Sequence, residues 1–393
     1  MTERRIDLTY CTNVHDLASP EAWTRSLRFF GPAVRRHLGW KRMALGLWWQ
    51  SPLAEAAARD PQPVARFLDE NGLRAFTCNA FPFGNFHEPV VKTKVYLPDW
   101  TTPERLQYTQ RCASALAALI PAGGFGSVST LPLGWRIDWD AGKTARAVEK
   151  LLDWVRFARD LESKTGRRIA LALEAEPGCI LERTPQVLAF WKNDVLPAAA
   201  RAGLEAPLPR HLGMCYDTCH QATQFESPEE ALGALASAGI PVHKMQLSSA
   251  LEFVPDAARS SLASRQAFAE PRFLHQTRCH GTADIAFYDD LPEAIADADW
   301  TRTWRTHFHL PLQAESLLDA KAVKTTRGDM LRAYHYALQR DLCRHFEVET
   351  YTWSVLPEQE RPATDEALAA AMAREIAFVV EHTPPGIRIE GKD

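Results

Sequence analysis

Short runs of apolar and small residues alternate with longer amphipathic stretches along the whole chain. The runs are Ile6–Asn13, Met43–Trp49, Leu73–Asn79, Gly126–Thr130, Ile169–Glu174, His211–Asp217, Val242–Ser248 and Phe346–Glu349. Each has the length and content of a strand covered on both faces. Between them stand helix starts in which an oxygen-bearing residue precedes proline: Ser19-Pro20-Glu21, Thr102-Pro103-Glu104, Thr184-Pro185 and Ser227-Pro228-Glu229-Glu230. Val148, Leu151, Leu152, Val155 and Ala158 mark one face of the helix after the fourth strand. Gly72 is placed to end the second helix, and Asp365 to Glu381 reads as the closing one.

Alternating strands and helices argue for a parallel sheet, and this number of strands suits a single (β/α)₈ barrel better than an open sheet. A ninth run, Trp304 to Leu310, spoils the count. It lies in the long segment between the seventh and eighth strands, read here as a loop insertion over 250–325 on the C-terminal face of one barrel domain spanning 1–393. No repeat or Gly/Ser-rich linker marks a second unit.

In such a barrel the C-terminal strand ends share one face, where chemistry sits. Those ends read Asn13, Trp49, Asn79, Thr130, Glu174, Asp217, Gln246 and Glu349. The consecutive ends Glu174, Asp217, Gln246 and Glu349 bring carboxylates and an amide together. Uncompensated, such charges repel and take up protons. A divalent cation resolves this, and an oxygen set with one imidazole suits Mn²⁺, Mg²⁺ or Zn²⁺. The plainer reading of Asp217 is a helix cap. Trp49 and Trp353, at strand ends, are candidates to stack on substrate or simply to pack the loops. His15, Asn79 and His275 are further candidates to touch substrate.

Composition narrows the function. Acidic and basic residues number 49 and 45 among 393, so no electrostatic case exists for nucleic acid or a membrane surface. No apolar run reaches the ~20 residues of a spanning helix, and the first residues lack a signal-peptide core. The 8 cysteines are scattered, with Cys11, Cys78 and Cys215 inside apolar runs, as expected of reduced core thiols in a cytoplasmic protein. Cys215 and Cys219 have no second pair for a zinc knuckle.

Asp217-Thr-Cys-His220 resembles the D-T-x-H turn of the xylose isomerase-like barrels, which include sugar isomerases, ketose epimerases and abasic-site endonucleases. Glu174 and Glu349 fall where their fifth- and eighth-strand glutamates would. More of the chain resembles the EboE family of metabolite-traffic proteins. The phrases are Tyr10-Cys-Thr-Asn-Val-His15, Phe81-Pro-Phe-Gly84, Tyr96-Leu-Pro-Asp-Trp100, Gln246-Leu-Ser-Ser-Ala-Leu251, Phe273-Leu-His-Gln276, His307-Phe-His309 and Glu347-Val-Glu-Thr-Tyr-Thr-Trp353. That resemblance implies a cytoplasmic barrel linked functionally to a membrane prenyltransferase-like protein, in clusters that handle a secondary metabolite.

The superfamily usually offers a seventh-strand histidine to its metal, and here Gln246 stands instead. His307-Phe-His309 follows where the endonuclease branch places an Asp-x-His pair. In an extended H-x-H both imidazoles face one side. His309, stiffened by Leu310-Pro311, is expected to complete the ligand set, with its run against the seventh strand. The other reading is a pair of surface or core histidines. His220 would bind a second metal or hydrogen-bond substrate.

The expected metal ligands are therefore Glu174, Asp217, Gln246, His309 and Glu349, and the expected catalytic groups Glu174, Glu349 and His220. A metal would polarise a carbonyl and its neighbouring hydroxyl while Glu174 or Glu349 removes the proton between them. That is isomerase or epimerase chemistry on a small polyol, sugar or cyclitol-type substrate. Pure ligation by the two glutamates is the competing reading. A non-catalytic carrier and a metal-dependent phosphodiesterase of the abasic-site type are the alternatives.

Overall fold

The computed structural model describes residues 4–15, 20–282, 284–318 and 322–392; Ser19, the expected first cap, lies outside them. The parallel strands are β1 (Arg4–Tyr10), β2 (Met43–Trp48), β3 (Leu73–Asn79), β4 (Phe125–Thr130), β5 (Arg168–Glu174), β6 (Leu212–Asp217) and β7 (Val242–Leu247). The segment after β7 contributes β8 (Ser249–Phe253), β9 (Thr277–His280), β10 (Ile285–Tyr288), β11 (Thr303–Leu310) and β12 (Val323–Thr325). β13 (His345–Val348) and β14 (Ile387–Ile389) follow.

Neighbours run β2-β3-β4-β5-β6-β7-β13-β1, all parallel. The ring closes at its upper end, where Cys11 bridges Gly46 in parallel and Thr9 Oγ1 donates to the Ala44 carbonyl at 2.7 Å. Lower down, β14 pairs with β1 instead, Arg4 opposite Ile387 and Ile6 opposite Ile389. The fold is the expected (β/α)₈ barrel, with a short added strand along its seam.

Local chemistry explains the helix boundaries. Thr102 accepts from the Arg105 N–H at 3.4 Å, and Ser227 from the Glu230 N–H at 3.5 Å, each side-chain oxygen meeting an orphan first-turn donor. The helix expected to run unbroken to Gly72 is two, Ser51–Arg59 and Gln62–Glu70. Pro61, which lacks an N–H and disfavours helical backbone before it, stands at the break.

The segment read as a loop insertion builds an antiparallel sheet, ordered β10-β9-β11-β8-β12. Its apolar residues Phe253, Phe268, Trp304 and Phe308 belong to the same continuous core as Leu8, Leu171 and Met245 of the barrel. The histidine run, expected to pair with or lie against the seventh strand, does not pair with it. β11 pairs with β8 and β9, because the chain turns at Ser248 and starts a new strand whose edge β11 takes. The long third loop docks on this segment too. The Val91 and Lys92 N–H groups both donate to the Arg272 carbonyl, at 2.8 and 3.0 Å.

Candidate metal centre

Barrel strands and β11 deliver their polar ends to one buried cluster. On β13 and just past it, Glu347 and Glu349 share a face. Glu347 meets Lys244 at 2.5 Å, and that lysine also donates to Ser129 Oγ at 2.9 Å. This fully buried pair forms the floor. Above it, Glu349 Oε1 accepts from the side-chain amides of Asn13 at 2.9 Å and Asn79 at 2.8 Å.

Asp217 serves two purposes. Its Oδ1 accepts from the Cys219 and His220 N–H groups at 2.7 and 2.9 Å, which is the plain cap. Its Oδ2 is buried without a hydrogen-bond partner, as are Glu174 Oε2 and Glu176 Oε2. Burial raises Glu174, and Glu349 and Asp217 add to it by repulsion. Burial likewise raises Glu349, again with Asp217 contributing. Asp217 rises through burial, countered by His309 and its two backbone donors. Glu176 is pushed up to about 8 by burial, against the pull of Tyr96 and Gln276.

Beside the carboxylates, three imidazoles converge. His220 Nδ1 lies 3.1 Å from the Ala175 carbonyl, His307 Nδ1 2.6 Å from Gln276 Oε1, and His309 Nδ1 2.7 Å from the Glu349 carbonyl. The Gln276 amide is oriented by donating through Nε2 to the Pro177 carbonyl at 2.9 Å. All these partners accept, so each Nδ1 carries the proton and each Nε2 presents a lone pair. Those lone pairs face one another: 3.0 Å from His220 to His307 and 2.9 Å from His307 to His309. Burial keeps the rings neutral, His220 lowered to about 3 and His309 to about 4. His307 is lowered further by burial and by its imidazole neighbours.

The residues fit a cation. Opposed lone pairs and unpartnered carboxylate oxygens are costly in a buried site, and a metal satisfies both. Ligand atoms of Glu174, Asp217 and Glu349 lie within 4.8 Å of one another. The same holds for Asp217, His220 and His309, and for Glu176, His220 and His307. Asp217 belongs to an oxygen-only group and an imidazole group, so the arrangement offers two adjoining positions. The acceptors on each Nδ1 are the outer partners that orient a metal-bound imidazole.

The other expected residues are spread more widely. Asn79 lines the pocket beside Glu349. Gln246 has its side-chain oxygen taken by the Cys215 thiol at 3.0 Å, and its amide nitrogen has no partner. His15, Trp49, His275 and Trp353 are not on the pocket wall. His15 stacks on Phe30 at 4.1 Å, because the chain enters a short 3₁₀ turn at Thr12 and carries the ring outward. Trp49 is buried in the core with its carbonyl accepting from Tyr108 at 2.6 Å, and Trp353 is likewise core. His275 supports β11, with Nδ1 to the His307 carbonyl at 2.9 Å and its ring stacked on Phe308 at 4.6 Å. Glu176 and Tyr351, both on the wall, escaped the sequence reading. The Glu174-Ala-Glu176 spacing was a signal for the first, since alternate residues of an extended chain share a face.

No protein-family description matches the chain, and no curated protein matches it. Solved structures of similar backbone include an L-ribulose 3-epimerase, at 12% identity over 96% of this chain and 94% of that one, with a TM-score of 0.49. The IolI protein with a bound zinc atom is similar at 11% identity, 95% and 98% coverage, and a TM-score of 0.48. A sugar phosphate isomerase/epimerase from Parabacteroides distasonis is similar at 9% identity, 98% and 99% coverage, and a TM-score of 0.47. These likenesses are too distant to carry chemistry across to this chain.

Proposed function

We propose that the protein is a divalent-cation-dependent isomerase or epimerase that moves a proton beside a carbonyl. The observation that carries this reading is the convergence of Glu174, Glu349 and three imidazoles at the wall of one pocket, with Asp217 buried directly behind them. Glu174, Asp217 and Glu349 would hold a cation that would supply a Lewis acid for a carbonyl and its neighbouring hydroxyl. Glu349 is clamped by two amides and suits fixed ligation. Glu174, which unlike Glu349 is held by no side-chain amide among the described residues, would ligate through one carboxylate oxygen and with the other take the proton from the hydroxyl-bearing carbon and return it. His220 and His309 with Asp217, and His307 with Glu176 beside them, would hold the second position. Phe86, Phe273 and Tyr351, with ring centroids 4.9–5.1 Å apart, shield the site from water. The phrases shared with the EboE family support a place in handling a secondary metabolite, alongside a membrane prenyltransferase-like partner.

A phosphodiesterase reading gains from the imidazole-rich second position, since His220, His307 and His309 would help hold a second cation and so supply the two-metal chemistry of phosphate ester hydrolysis. It loses on the wall, whose lysine, Lys92, is 2.5 Å from Asp290 and is thus committed. The test is hydrogen exchange. Metal-loaded protein in D₂O is expected to wash deuterium into the hydroxyl-bearing carbon of hydroxyketones in a mixed panel, read by NMR, and Glu174→Gln is expected to stop it. No exchange in any compound, with metal present by mass spectrometry, would leave the carrier reading in its place.

A further inference from the structure

We infer that this site takes a hydroxycarbonyl compound carrying an apolar ring, and not a free polyol or a sugar phosphate; this rests on the cation reading above. The pocket is open to solvent and has two unlike walls. One is the carboxylate and imidazole cluster. The other is hydrocarbon: Phe81, Phe86, Val91, Val95, Phe273 and Leu274. The hydrocarbon wall is continuous with the cluster through Tyr351. Its ring lies 4.5 Å from His309 and packs against Phe86 and Phe273 at 5.0 and 5.1 Å.

The hydrogen-bond donors of the wall are largely committed. The Tyr96 hydroxyl donates to Glu176 at 2.8 Å and accepts from Gln276 at 2.8 Å. Asn13 and Asn79 donate to Glu349. Among the described wall residues there is no arginine, and Lys92 is paired with Asp290. A phosphate would therefore meet no fork of donors. A polyol bound head-first at the cations would press its remaining hydroxyls onto phenyl and valine surface, where a lost hydrogen bond to water is not replaced. A flat apolar ring in the same place gains from burial and from ring-to-ring contact. The chemistry at the head stays that of a carbonyl beside a hydroxyl.

Three hydroxamates share a metal-chelating head and differ in tail: acetohydroxamate with a methyl, benzohydroxamate with a phenyl, threonohydroxamate with a triol. Calorimetric titration into Zn²⁺-loaded protein is expected to rank benzohydroxamate at least about tenfold tighter than acetohydroxamate, with threonohydroxamate no tighter than acetohydroxamate. Phe273→Ala is expected to remove most of the phenyl advantage over acetohydroxamate while metal content stays unchanged, which also reports an intact fold. Equal affinity for methyl and phenyl tails, or preference for the triol, would overturn the ring assignment and leave the cation site standing. Protein that retains no metal by mass spectrometry would instead remove the cation reading, and this inference with it.

Discussion

Asp217 shows how one side chain can satisfy a structural and a chemical reading together. One oxygen receives two backbone N–H groups, and the other is buried without a partner. Asp217→Asn keeps an acceptor for the cap and removes the carboxylate. It is expected to weaken cation binding more than about tenfold with a thermal midpoint close to that of the parent. Asp217→Ala loses the cap as well, an added cost of about 1 kcal/mol. Metal analysis and thermal melts of the two variants separate the effects; normal metal content in both would reduce Asp217 to a cap. His309→Phe is expected to lower the metal count per chain while Glu174, Asp217 and Glu349 retain the first cation. Loss of both cations together would show that the two positions bind as one unit.

At the scale of elements, the barrel seam depends on a glycine. Gly46 sits where the β2–β3 register shifts and where Cys11 of the first strand's extension bridges across. A Cβ added there would lie 1.6 Å from Glu347 Oε1 and 2.9 Å from the Tyr10 carbonyl. Glu347 cannot move away cheaply, because it balances the buried Lys244. Gly46→Ala is expected to destabilise the fold by about 2–4 kcal/mol, measured as a shift in urea midpoint. A shift below the measurement error would mean that the Lys244–Glu347 pair can rearrange. β11 is the other decisive element. Its register on β8 and β9, braced by His275, sets both His307 and His309, so the second sheet positions the imidazole half of the site.

For the whole molecule, the lower rim of the barrel is tied by charge. Asp7 on β1 meets Arg74 of β3 at 2.7 Å and Arg344, just before β13, at 3.0 Å. Burial raises its carboxyl, but His345, Arg74 and Arg344 together outweigh that and hold it below the usual range. A carboxyl depressed in the folded state contributes stability above its unfolded pKa of about 4 and loses it as pH falls through the folded value. Asp7→Asn is therefore expected to cost about 1–2 kcal/mol evenly from pH 8 to pH 5, and progressively less below about pH 4. A penalty that grew on acidification would refute the linkage. Removing cations with a chelator should lower the melting temperature by roughly 5–10 °C, restored by Zn²⁺ or Mn²⁺; no change would mean that the folded state holds none.

The barrel was legible in the sequence because its strands are short apolar runs between proline-marked helix starts. Strand ends then fix which face a residue shares, so Glu174, Asp217, Glu349 and Asn79 could be placed together from alternation alone. β14 was not legible: Ile387–Ile389 is too short to show a period, and it forms only because β1 leaves an edge open below Cys11. The second sheet was missed because β8 pairs with β11 and β12 far along the chain, while its local hairpin, β9 with β10, has strands of only 4 residues each. The chemistry of His307 and His309 was visible as a spacing, but their meeting with His220 was not. It needs Gln276, the Ala175 and Glu349 carbonyls, and the β8–β11–β9 pairing to turn three Nε2 atoms inward. Long-range backbone pairing decides which way a side chain finally faces, and no local pattern carries that information.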